Sequence, residues 1–129
     1  MTPTQGLAAY RSTQVQSRTP LELVVMLYDG ALRFIGTARD AVERRDIAAR
    51  REALDRAMAI VSELQSTLNM DAGGEFAARL DGLYDYINDR LITAAMQNSV
   101  EPLDEARRIL DTLRGAWSTI AGAQERTTA

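Results

Sequence analysis

Thr19-Pro20-Leu21-Glu22-Leu23-Val24-Val25-Met26-Leu27-Tyr28-Asp29-Gly30-Ala31-Leu32 opens the stretch that decides the fold. From Leu21 its apolar positions continue through Val24, Val25, Tyr28, Ala31, Leu32, Ile35, Ala38 and Val42, in steps of three and four that trace one face of a helix. Thr19 can cap this helix, Pro20 suits the first helical position, and Glu22 falls where a capping-box carboxylate reaches back. The spacing predicts a helix over about residues 20–44.

Working outward, the same period recurs three times. Asp46 caps a second helix with the stripe Ile47, Leu54, Met58, Val61, Gln65 and Leu68, ending near Asn69. Asp71-Ala72-Gly73-Gly74 reads as a break, after which Phe76, Leu80, Leu83, Tyr84, Ile87 and Leu91 define a third helix to about Gln97. A short link from Asn98 to Pro102, with Ser99 as a candidate cap, precedes a fourth stripe of Leu103, Ala106, Leu110, Leu113, Trp117 and Ile120. Period-two alternation is absent from the sequence. Four helices of similar length joined by tight links imply an all-α, antiparallel up-down four-helix bundle. The expected organisation is a mobile N-terminal segment at 1–18, the bundle at 19–123 and a disordered tail at 124–129.

The 129 residues suit one domain, and the residue types they omit restrict its chemistry. There is no His, no Cys and no Lys, so all 15 basic residues are Arg. An imidazole base, a thiolate nucleophile, a Cys/His zinc site, a disulfide, a Schiff base and a P-loop lysine are thereby excluded. No cofactor or metal is expected. A net charge of −3 argues against nucleic acid as a partner, and no apolar run is long enough to insert in a membrane. Met1 to Val15 lack the apolar block of a secretory signal, so a cytosolic location is expected.

Charged clusters lead to bland readings. Asp81, Asp85 and Asp89 recur at i, i+4 and i+8 opposite the apolar face of the third helix, as a solvated outer face would. Arg39, Arg44, Arg45, Arg50, Arg51 and Arg56 are interleaved with Asp40, Glu43, Asp46, Glu52 and Asp55, which cancels most of the positive field. A small all-helical enzyme that grips an anionic substrate with Arg and carboxylates remains an alternative. It requires guanidinium groups converging inside the bundle.

The apolar arcs are wider than one bundle core requires. Leu23, Leu27 and Phe34 form a second stripe on the first helix, Ala53, Ala57, Ile60 and Leu64 on the second, and Ile109 and Ala116 add to the fourth. The surplus either fills a generous core, as in a purely structural bundle, or remains as a groove for a partner. Gly30 and Gly36 each cost about 1 kcal/mol against Ala within a helix, a cost that close approach by another segment would explain.

These residues also resemble a known family. Thr19-Pro20-Leu21-Glu22-Leu23, Met26-Leu27-Tyr28-Asp29-Gly30-Ala31-Leu32, Leu68-Asn69 with Gly73-Gly74-Glu75, Leu83-Tyr84-Asp85-Tyr86-Ile87 and Leu113-Arg114-Gly115-Ala116-Trp117 occur in the order seen in the flagellin export chaperones called FliS. Gly6-Leu7-Ala8-Ala9-Tyr10 matches as well, so the resemblance spans about residues 5–120. It implies a non-enzymatic cytosolic chaperone. Its client would be the disordered C-terminal segment of flagellin, which wraps over the apolar surface, is kept from polymerising prematurely and is delivered to the flagellar type III export gate. The resemblance associates Leu7 and Tyr10 with covering the empty groove and with docking on the export-gate protein. Together with wheel geometry it nominates Leu7, Tyr10, Leu23, Leu27, Gly30, Ile60, Leu64 and Leu68 as partner-contact positions, leaving self-association open.

Overall fold

The computed structural model describes the backbone of residues 19–128 and the side chains of 19–123, so Leu7 and Tyr10 lie outside the described residues. Four helices account for nearly all of it: α1 (Pro20–Arg44), α2 (Ile47–Ser66), α3 (Met70–Gln97) and α4 (Glu101–Thr128). Each packs against its neighbours in the chain, and α1 closes the ring against α4. This is the expected four-helix bundle.

Helix ends follow the capping chemistry. The Thr19 side chain accepts from the Glu22 N–H and its hydroxyl donates to the Glu22 carboxylate, with Pro20 in the first turn. Asp46 accepts from the Ala49 N–H to start α2, and Asn69 accepts from the Ala72 N–H to start α3. At the start of α4 the Asp104 N–H bonds the Val100 carbonyl, one residue beyond the Ser99 expected to cap it. Arg45 and Asn98 take left-handed conformations after α1 and α3, which lets links of two or three residues reverse the chain.

Two boundaries differ from expectation. α3 begins at Met70, inside the segment read as a break, and the break is a kink at Gly74 (φ 54°, ψ −133°), a conformation open essentially to Gly alone. A Cβ on Gly73 would stand 2.5 Å from the Ala77 Cβ, so the preceding residue must be small too. α4 continues to Thr128, and the polar composition of 124–128 does not stop the helical backbone where a tail was expected.

The core lies on the Tyr28, Ala31, Ile35, Ala38 and Val42 face of α1, against Leu54, Val61 and Leu64 of α2, Leu80, Tyr84, Ile87 and Leu91 of α3, and Leu103 and Leu110 of α4. Burying each large apolar side chain contributes about 1.5–3 kcal/mol. On α2 the inward direction falls between the two apolar stripes, so Ala53, Ala57 and Leu64 share the core with Leu54 and Val61, while Ile47 is exposed.

Gly30 and Gly36 separate. A Cβ on Gly30 would meet the Ile60 Cδ1 at 3.1 Å, whereas one on Gly36 would meet nothing within 4 Å. Gly36→Ala should therefore raise unfolding free energy by about 0.5–1 kcal/mol through helix propensity. Gly74→Ala should lower it by about 1–3 kcal/mol through backbone strain. Urea unfolding of the two variants checks the opposite signs, and a stabilising Gly74→Ala would refute the kink.

Candidate partner-binding groove

A polar layer interrupts the aliphatic core. Tyr28 of α1 and Tyr84 of α3 reach across the bundle from diagonal helices, their hydroxyls 2.5 Å apart and their rings tilted by 46°. Trp117 of α4 donates its indole N–H to the Tyr28 hydroxyl at 3.1 Å. Both phenols are buried, and desolvation raises the pKa of each above the ordinary value of 10, so both stay protonated as hydrogen-bond donors.

Beyond this layer, toward the start of α1, the bundle opens into a groove of about 710 Å³. All four helices contribute to its lining: Leu21, Leu23, Val24 and Leu27 from the first two turns of α1, Glu63 from α2 with Thr67 and Leu68 from the link after it, Phe76 and Ala77 from α3 after its kink, and Trp117 from α4. Glu63 is the one charged residue among the lining side chains. The wall is thus largely aliphatic and aromatic, with few hydrogen-bonding groups.

The exposure arises because neighbours run out, not because the helix face changes. Phe76 and Ala94 stand eighteen residues apart, about five turns, and share one face of α3. Ala94 is 0% exposed in the middle of the bundle, whereas Phe76 is 66% exposed at the groove. Among the described residues, α2 ends at Ser66 and α1 begins at Pro20, so neither helix continues alongside this part of α3.

The nominated contact positions divide accordingly. Leu23, Leu27 and Leu68 come together in the groove. Gly30 and Ile60 instead meet one another at the α1–α2 contact. Leu64 is a correction: it is 1% exposed and belongs to the core, because the inward direction of α2 includes its stripe. Phe76 and Trp117 line the groove although their sequence spacing placed them on core stripes. Phe76, two residues after Gly74, stood close to the break read in the sequence, whereas nothing in the spacing marked Trp117.

Elsewhere the charged side chains find one another. Arg39 bonds Asp104 at 2.8 Å and pairs with Glu43, and Arg114 bonds Asp29 at 2.5 Å. The carboxylate partner raises the pKa of each of these two guanidiniums. Asp81 and Asp85 both accept from the Gln65 amide at 2.8 Å, so this part of the acidic ladder ties α3 to α2. The arginines that would serve an anionic substrate are distributed over the surface among these pairs.

A sequence profile described as "Flagellar protein FliS" matches residues 3–124. The flagellar secretion chaperone FliS of Salmonella typhimurium is 35% identical over 121 residues, covering 90% of each chain. That of Bacillus subtilis is 38% identical over 109 residues, covering 84% of this chain and 80% of its own. The homologue from Campylobacter jejuni is 35% identical over 112 residues, covering 87% and 88%. With a four-helix bundle, a matching profile along nearly its whole length and relatives at this level of identity, the chain belongs to the FliS family of flagellar secretion chaperones.

Proposed function

We propose that this chain is a cytosolic, non-enzymatic chaperone that holds the disordered C-terminal segment of flagellin in the groove at the open end of the bundle. The segment would be kept from polymerising prematurely and delivered to the flagellar type III export gate. The observation that carries this reading is the apolar groove of about 710 Å³ left after the four helices have closed on one another. Its lining suits the apolar face of an amphipathic helix, with Phe76, Leu23, Leu27 and Leu68 as contacts. Apolar burial at about 25 cal/mol per Å² must offset an ordering cost of about 2–5 kcal/mol in a client that is disordered alone. No helix among the described residues is long and apolar enough to cross a membrane.

In this reading Leu7 and Tyr10 act as two anchors on the leading segment, covering the groove before the client arrives and engaging the export-gate protein afterwards. They are spaced i, i+3 in the sequence.

Calorimetry with full-length flagellin and with flagellin lacking its last few dozen residues tests the client. Heat of binding should appear with the first and vanish with the second, and equal binding by both would refute the assignment. Substitutions should separate groove from core. Phe76→Asp is expected to weaken client binding by about tenfold or more with little change in stability, since the ring is exposed. Leu64→Ala should cost about 2–5 kcal/mol of unfolding free energy, as for other buried leucines.

A further inference from the structure

Large apolar side chains are exposed at both ends of the bundle. Met70 and Phe76 stand at the open end, while Ile47, Ile92 and Met96 stand at the other, with Met96 82% exposed. There, between the start of α2 and the end of α3, lies a second hollow of about 210 Å³. Leu54 and Met58 of α2 and Ile92, Ala95 and Met96 of α3 form its apolar lining. Phe76 and Met96 are twenty residues apart on α3, roughly 30 Å, so one short bound helix cannot occupy both sites.

Charge follows a definite order along this second hollow. Arg50 and Arg51 border it at the Met96 end, where Arg50 donates to the Asn98 side chain at 2.5 Å. Asp55 lies one turn further along α2. Asp89 shares the Ile92 and Met96 face of α3, seven residues before Met96 and roughly 10 Å from it along the axis. Arg51 and Asp89 are both exposed, and neither has an ion-pair partner among the described residues. Two guanidiniums and two carboxylates cancel, so a uniformly acidic or uniformly basic partner gains nothing overall. The matching surface is apolar in the middle, acidic at one end and basic at the other. This surface turned end for end is such a match.

We propose that this hollow is the contact between two copies of the chain, related by a two-fold axis that sets Arg51 of each against Asp89 of the other across a centre of Met58, Ile92 and Met96. Unbranched methionine side chains adapt readily to an opposing apolar surface. A two-fold contact repeats every interaction, so the guanidinium–carboxylate pair forms twice. The open-end groove stays free in both copies, and the pairing does not depend on what that groove binds.

Sedimentation equilibrium of the full chain at low salt, without flagellin, tests the pairing. The mass should rise with concentration from the 14.2 kDa of one chain toward twice that value. Arg51→Asp and Asp89→Arg should each weaken association about tenfold, because by symmetry each turns two exposed attractions into two repulsions. Mixing the two variants in equal amounts should restore association, since every charge at the contact then faces its opposite. In wild-type protein labelled at the methionine methyls, the Met58 and Met96 resonances should shift with concentration while those of Met26 and Met70 stay fixed, a readout that needs no variant to fold. A wild type that stays monomeric, single variants that associate as the wild type does, or a mixture without rescue overturns the proposal. Met58 and Met96 resonances that answer to the flagellin segment in dilute protein, and not to concentration, give the surface to the client and overturn it as well.

Discussion

The hydrogen-bonded layer of Tyr28, Tyr84 and Trp117 is the constraint on which the rest of the bundle depends. An apolar side chain of ordinary length cannot span the diagonal of a four-helix bundle, whereas two phenols meeting at their hydroxyls can. Leaving a buried phenol unpaired would cost about 1–3 kcal/mol, so the contact fixes the register of α1 against α3 as well as their separation. On one side of this layer Ile35, Leu54, Ile87, Leu91, Leu103 and Leu110 fill the interior. On the other, Leu80 and Ala77 are still buried, while Leu27, Val24 and Phe76 line the groove. The layer therefore lies between most of the large apolar core and the groove.

That division was only partly legible in the sequence. Helix number, the bounds of α1 and the caps at Thr19 and Asp46 follow from local chemistry: a side-chain oxygen three residues before an orphan N–H acts without help from tertiary structure. The inward stripe of α2 does not follow in this way. Its apolar arc is wide, and only the placement of α1 and α3 decides that Leu64 turns inward while Leu68 faces the groove. The Gly74 kink was visible as a disturbance, but a Gly-Gly pair reads equally well as a loop. Asn69 starts the helix before the glycines, and the chain then bends at the one residue able to adopt that φ and ψ.

Periodicity also misjudges helix ends, and α1, α2 and α3 bring their ends to the groove. A hydrophobic stripe records which face of a helix turns toward its neighbours, not how far those neighbours extend. Phe76 and Trp117 satisfy the period of the core, and the exposure of Phe76 arises because α2 has ended and α1 has only begun. The surplus of apolar residues was therefore the right signal attached to the wrong coordinate: position along the bundle axis matters more here than angle around each helix.

The charged surface explains how such an opening can persist. Arg39 with Asp104 and Arg114 with Asp29 join α4 to α1, Arg90 stands 3.8 Å from Glu105 between α3 and α4, and Gln65 joins α2 to α3. Exposed ion pairs add little stability, yet together these contacts resist relative sliding around the ring of helices. Collapse of the groove would require α1 and α3 to approach each other at the open end, which the Tyr28–Tyr84 contact opposes by holding them at a fixed span. The walls are thus preorganised by the bundle's own bonds. Under the proposed function the ordering cost of binding would fall on the incoming segment alone, the arrangement in which a modest apolar area yields useful affinity and the ligand can still be peeled away stepwise.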